Sequence, residues 1–298
     1  MAPTTSTTNT NSATRPIRND IPYKRERLGR ILVQHRNGST SVGTGFFVDA
    51  QGELLTCFHV ISGTELCNLR AMNTNITGTP DEEHIQLQNY LTQSVVNIQV
   101  ELMDGSRKIA NLVKFNHIYD VASLKIAEEN SGGGGASGGS GSGAGAGAEN
   151  PFFELDTDYM PEYDESTFFC GFQLTGGYSD ATQYPFSINR AVVSAFPEVV
   201  VAGDKYQHIQ LNSINLGGNS GAPLFVEGSN KVIGIINGNM NWGKDNFTIM
   251  DKSLMNKNPD GTESGALRLA QEAVRVPLCI AYATPLNLIK SKTDFLNN

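Results

Sequence analysis

Eighteen consecutive residues, Ser131–Ala148, are only glycine, serine and alanine. Such a tract has no side chains able to build a core and behaves as a flexible coil. Its end-to-end reach is about 20–25 Å, from roughly 5–6 Å multiplied by the square root of its length. It therefore cuts the chain into two parts that must each find a core. The expected organisation is a disordered tail over 1–27, an N-terminal unit over 28–130, the linker over 131–148 and a C-terminal unit over 149–298.

Within each part the apolar residues come in short runs separated by turn signals. Before the tract the strand-like runs are Arg30–Arg36, Ser41–Asp49, Glu53–Phe58, Glu65–Met72, Val95–Met103, Lys108–Phe115 and Val121–Ile126. Asn37-Gly38 and Asp104-Gly105 are hairpin-turn dipeptides between neighbouring runs. After it they are Thr167–Phe172, Ile188–Phe196, Gln207–Asn212, Ala222–Val226, Lys231–Asn237 and Cys279–Thr284. Many short strands and few long helices predict an all-β chain of barrels or sandwiches. Two interruptions carry helical spacing: residues 73–93, where Pro80-Asp81-Glu82-Glu83 precedes Ile85, Leu87, Tyr90 and Leu91, and the excursion 240–276, which ends in a helical Ala266–Val274. A C-terminal helix is expected over Leu286–Phe295. No internal repeat is visible.

Charge narrows the partners. Of the total of −8, residues 1–36 carry seven basic and two acidic groups, a net of +5, so the remainder is −13. An acidic body repels phosphate, so nucleic acid is not expected as a partner. The basic stretch reads as a solvated arm. No apolar run reaches the ~18 residues of a membrane span. The Ser/Thr-rich start has no apolar core of a secretory signal; it resembles a transit peptide less than a floppy tail. Cys57, Cys67, Cys170 and Cys279 fit neither a zinc spacing nor a redox pair, and their apolar neighbours predict buried free thiols. An intracellular location is favoured on these grounds. The tripeptides at Asn75 and Asn246 match glycosylation sequons, a short pattern common by chance.

Three widely spaced patterns carry chemistry. Gly43-Thr-Gly-Phe-Phe-Val-Asp49 leads to Leu54-Leu-Thr-Cys-Phe-His-Val60, a strand delivering a histidine. Tyr119-Asp-Val-Ala-Ser-Leu-Lys-Ile126 is an aspartate opening a strand. Leu216-Gly-Gly-Asn-Ser-Gly-Ala-Pro-Leu-Phe225 is a serine in a glycine-rich turn before a strand. Each alone has an ordinary structural explanation. Together they supply what a serine nucleophile requires. The hydroxyl needs an imidazole base within hydrogen-bond reach. The imidazole needs a carboxylate to fix its tautomer and stabilise its charged form. Flanking glycines let backbone N–H groups converge on a developing oxyanion.

These patterns resemble the trypsin-like serine peptidases, and most closely the HtrA/Deg-like branch. That branch carries a Gly-Ser/Thr-Gly-Phe strand, a Thr-x-x-His-Val segment, an Asp-Val/Leu-Ala-x-Leu-Lys segment and Gly-Asn-Ser-Gly. Weaker echoes are Phe168-Phe-Cys-Gly-Phe172, Ala191-Val-Val-Ser-Ala195, Val232-Ile-Gly-Ile235 and Ala281-Tyr-Ala-Thr-Pro-Leu-Asn287. The resemblance implies two six-stranded antiparallel barrels with the site in the cleft between them. It implies a serine endopeptidase with His59 as base, Asp120 as orienting acid and Ser220 as nucleophile. Gly218, Asn219 and Ser220 would form the oxyanion hole. Ile214, Ile235, Ile236, Asn237 and Gly238 would bind an extended polypeptide. No metal, cofactor or PDZ domain is implied.

Some residues depart from the family pattern. Asn219 stands where digestive relatives carry Asp, so activation through a new N-terminus is not expected. Ala222 replaces a glycine. Neither Ser213 nor Ile214 is acidic, which argues against Lys or Arg at the cleaved position and for a small or medium apolar side chain. His117 is the nearest competitor to His59 and is expected to be exposed. His35 and His84 read as surface residues, His208 as a residue that could lie beside the pocket, and Asp49 as a turn residue. Two other classes stay open. One is a trypsin-like fold serving as a peptide-binding or scaffold module. The other is a viral processing peptidase on the same fold.

Overall fold

The computed structural model describes residues 25–63, 80–127, 150–173, 185–201, 204–239 and 280–296. The tail before residue 25, the expected strand Glu65–Met72, the linker and the helix expected at 266–274 lie outside them.

The first half forms a closed six-stranded antiparallel barrel. Its strands are β1 (Leu28–His35), β2 (Thr40–Phe47), β3 (Glu53–Thr56), β4 (Val95–Glu101), β5 (Arg107–Asn116) and β6 (Val121–Ile126). They close in the order β1-β2-β3-β6-β5-β4. β1 shows why: Leu28, Ile31, Val33 and His35 point inward while Gln34 stays out. It pairs with β2 on one side and β4 on the other, and its register with β4 shifts at Gln34/His35. Helix α1 (Pro80–Ser94) connects to β4 and buries Leu87 and Leu91. The helical pattern starting at Pro80 anticipated it.

The second barrel is built from β7 (Ser166–Phe172), β8 (Phe186–Ala195), β11 (Ile209–Leu211), β12 (Pro223–Val226), β13 (Val232–Asn239) and β14 (Ala281–Pro285). It closes in the order β11-β14-β13-β12-β7-β8. A separate hairpin, β9 (Glu198–Val201) with β10 (Asp204–Gln207), rises between β8 and β11. No strand-like run is expected over 197–206, so this hairpin of two four-residue strands departs from the sequence reading. The C-terminal helix α2 (Leu286–Lys292) is shorter than expected and buries Leu286 and Ile289.

The two barrels share a seam. Residues 150–165 run along it: Phe153 N–H donates to Phe47 O in the first barrel at 2.9 Å. Asp156 N–H and Val232 N–H then exchange bonds with Val232 O and Glu154 O at 2.8 and 2.9 Å in the second. The Phe153 ring is fully buried between Phe46 and Phe225, and Phe225 in turn stacks on Phe168. Burying one such side chain is worth about 1.5–3 kcal/mol. This segment, which carries Glu154, Asp156, Asp158, Glu162, Asp164 and Glu165, is thus a strap held by the Phe153 ring and these backbone bonds.

Candidate active site

β3 ends at Thr56, and residues 58–63 turn at once into a helix carrying His59. Asp120 sits just before β6. Asn116 Oδ1 accepts the N–H groups of Ile118 and Tyr119 at 3.0 and 3.1 Å, which folds the approach to it. Asp120 has φ +53°, a left-handed conformation that is uncommon outside glycine, though Asp tolerates it better than most. Backbone strain of this kind survives where the surroundings over-determine it. Here His59 does so twice: its backbone N–H donates to Asp120 Oδ1 at 2.9 Å, and its Nδ1–H to Oδ2 at 2.6 Å. A carboxylate only accepts, so the proton of this pair sits on Nδ1 and leaves Nε2 as the basic nitrogen. Burial disfavours the charged imidazole, yet the charge of Asp120 and its hydrogen bond outweigh burial and raise His59 above its ordinary 6.5.

Ser220 occupies a turn between Gly218 (φ +94°) and Gly221 (φ +88°). The turn is pinned from all sides. Asn219 N–H donates to Leu216 O at 3.3 Å, Gly221 N–H to Ile236 O at 2.7 Å and Ala222 N–H to Asn219 O at 2.9 Å. A Cβ on Gly221 would lie 2.1 Å from Thr44 O and 2.4 Å from Thr56 Oγ1, so only glycine fits. The same contacts seat this second-barrel turn against the strand that delivers His59. A Cβ built on Gly43 would meet Val60, next to His59, at 2.6 Å and Ser220 O at 3.0 Å. The histidine segment and the serine turn therefore converge on β2 where it carries no side chain.

Thr44 holds that junction. It is fully buried, its N–H donates to Ser220 O at 2.8 Å, and its hydroxyl donates to Gly218 O at 2.7 Å. The same hydroxyl accepts Phe172 N–H at 3.0 Å. The motif Gly43-Thr-Gly-Phe was legible, but this second use of the threonine was not: a buried Thr between glycines is the only signal.

The expected peptide-binding residues fall into two groups. Ile235 and Ile236 are buried, and their main chains are already engaged: Ile235 opposes Pro223 and Thr284, while Ile236 N–H donates to Ala222 O at 2.9 Å and Ile236 O accepts from Gly221. Asn237 and Gly238 lie past the end of the β12 pairing, at an irregularity opposite β14. Ile214 is 46% exposed. Its neighbours turn inward, Ser213 Oγ donating to Arg190 O at 3.2 Å and Asn215 Nδ2 to Gly238 O at 2.9 Å.

Two histidines, His117 and His35, are buried where exposure was expected, and a third, His84, is half-buried. His117 is buried against the Phe58 ring rather than exposed. His35 is also buried, its Nε2 2.8 Å from Ser41 Oγ, and His84 stacks on Phe115. For His117 and His84 the aromatic partner comes from another part of the chain, out of reach of local pattern. His208 sits 3.5 Å from Asn237 through Nδ1; burial lowers its affinity for a proton against the pull of Asp120. Asp49 is a turn residue as expected, accepting Glu53 N–H at 2.7 Å.

Cys57 is a buried free thiol, and Cys170 is buried as expected. Cys67 and Cys279 lie outside the described residues. Cys57 Sγ donates to Ile236 O at 3.2 Å, and burial, reinforced by the charge of Asp120, pushes its thiol well above the ordinary range. Among the described residues, the ligand atoms of Cys57, His59 and Asp120 lie within 4.8 Å of one another.

The profile of the trypsin-like peptidase domain matches residues 43–235. The chain belongs to the trypsin-like peptidase family. Solved structures with the same fold include the HtrA-type protease AlgW with tripeptide and a variant of that protease with tripeptide. Each is 18% identical, with a TM-score of 0.52 over 92% of this chain and 60% of the other. The chain thus spans three-fifths of the length of those proteases. A search of curated proteins finds no match. The family and the double barrel agree with the resemblance read from the sequence, and this peptidase fold places His59, Asp120 and the Ser220 turn at one seam.

Proposed function

We propose that this chain is a serine endopeptidase that cleaves extended polypeptides through His59, Asp120 and Ser220. The observation that carries the reading is the 2.6 Å bond from His59 Nδ1 to Asp120 beside a glycine-flanked serine turn bonded to the same barrel. His59 Nε2 takes the Ser220 proton as the hydroxyl attacks the scissile carbonyl, then returns it to the leaving amine. Asp120 holds the imidazole in that tautomer and stabilises its protonated form. An acyl-enzyme forms on Ser220 and water hydrolyses it through the same base.

The oxyanion is held by the N–H groups of Gly218 and Ser220, with Asn219 as the link that orients them. Turn hydrogen bonds use the N–H groups of Asn219 and Gly221 instead. Each oxyanion donor is worth about 3–4 kcal/mol when removed. The substrate main chain pairs with Asn237 and Gly238, since Ile235 and Ile236 are committed to the barrel. Ile214 lies toward the entrance of the pocket, and a small or medium apolar residue precedes the cleaved bond. The active unit comprises both barrels, 28–130 and 149–298, joined by the 131–148 tract, and functions inside the cell.

Incubation with an unfolded protein substrate, followed by sequencing of new N-termini, tests this. Cleavage by wild type and none by Ser220→Ala supports the peptidase. A folded wild-type protein that binds extended peptides without cutting them establishes the scaffold module instead.

A further inference from the structure

Cys57 has no part in the chemistry above, yet it is buried against the two residues that matter most. Its Sγ, a nitrogen of His59 and a carboxylate oxygen of Asp120 lie mutually within 4.8 Å. Donor atoms around a tetrahedral zinc, at about 2.0–2.3 Å from the metal, are separated by roughly 3.3–3.8 Å, so the three need only small shifts to share one ion. We propose that Cys57, His59 and Asp120 form a binding site for a soft divalent cation such as zinc, whose occupation switches the peptidase off.

The charges favour it. A thiolate and a carboxylate neutralise a divalent ion, so the assembled site is formally neutral, which suits a place where Cys57 is fully buried. The thiol and imidazole are softer ligands than the all-oxygen sets that calcium and magnesium select. The side chains of His59 and Asp120 retain 33% and 24% of their exposure, giving an ion a way in from the cleft. Binding is balanced as follows. The Cys57 thiol loses its proton to solvent and its sulfur takes the metal. His59 stays neutral, its proton moving from Nδ1 to Nε2 so that Nδ1 can ligate. The Nδ1–H bond to Asp120 is replaced by the metal, and no electron changes hands. An imidazole protonated at Nε2 cannot accept the Ser220 proton, so occupation and catalysis exclude each other. The inference uses the proposed roles of His59 and Asp120 only for its inhibitory consequence; the binding itself stands apart from them.

The probe is the metal alone. Zinc affinity is measured by calorimetry, and cadmium is titrated while the ultraviolet thiolate-to-metal absorption is followed. Wild type should bind one ion competitively with inhibition, and a chelator should restore activity. Cys57→Ser, which can keep the bond to Ile236 O, and Cys57→Ala should each lose roughly 100-fold in affinity, with the absorption band. Equal affinity and inhibition in wild type and both variants, or cadmium binding without a Cys57-dependent band, overturns the site. Because the band and the calorimetry need no turnover, a Cys57-dependent site in a protein that cuts nothing keeps the metal site and removes the peptidase.

Discussion

Replacing Thr44 by valine removes one oxygen and nearly nothing else, because the two side chains have the same shape. The lost hydroxyl donates to Gly218 O at 2.7 Å and accepts Phe172 N–H at 3.0 Å. Thr44 is completely buried, so water cannot replace either bond. One carbonyl and one amide are then left inside the seam without a partner. Each such orphan costs about 1–3 kcal/mol, which sums to roughly 2–6 kcal/mol. That is a large share of the 5–15 kcal/mol typical of a whole fold. Thr44→Ser keeps the hydroxyl and drops one methyl, worth about 0.8 kcal/mol. The assay is urea unfolding of wild type and both variants, with the rate of active-site labelling measured on the folded protein. The valine variant should unfold at far lower urea and label more slowly, since the Gly218 peptide loses its anchor. A valine variant within about 0.5 kcal/mol of wild type, or a serine variant equally damaged, refutes the role given to this hydroxyl.

Removing His59 or Ser220 singly should each abolish nearly all activity, and the double variant should lose little more; additive losses in kcat would show that the two do not act as a unit. Because His59 is raised above 6.5, activity should fall as pH drops through a value above 6.5, and Asp120→Asn should cost about 10⁴-fold in kcat. The same raised value has the opposite sign for folding. The stabilisation it brings is complete below 6.5 and is lost as pH rises through the folded value, so urea midpoints compared between wild type and His59→Gln should converge on the alkaline side. Shortening Ser131–Ala148 by a few residues should leave kcat/KM unchanged, as expected of a tract composed only of Gly, Ser and Ala; a collapse of turnover would show the tract to be a working part.

What could be read from the letters was what local order encodes. The short run Arg30–Arg36, its successors and the dipeptides Asn37-Gly38 and Asp104-Gly105 marked β1, β2, β4 and β5 to within a few residues. The helix beginning at Pro80 was legible from its acidic first turn and spaced apolar residues. The candidates His59, Asp120 and Ser220 stood out because each adjoins an apolar run, and the structure brings the His59 segment to Asp120 and the Ser220 turn to the same strand. The seam was not legible. Thr44 and Phe153 acquire their roles from partners more than 70 residues away, and nothing in their neighbours announces it. Burial differs from expectation in the same way at His35 and His117, which stand at or just past a strand end in sequence yet are covered in space. The β9–β10 hairpin was lost because its short strands carry no turn dipeptide of the kind that marked the others.

The central claim is that Ser220 is a nucleophile activated by His59. Treatment with a fluorophosphonate at neutral pH, digestion and mass mapping tests it in one step. The account predicts a single adduct on Ser220 in wild type, and almost none in Ser220→Ala or in His59→Ala. A folded wild-type protein with no adduct, or one modified at a different serine, contradicts it.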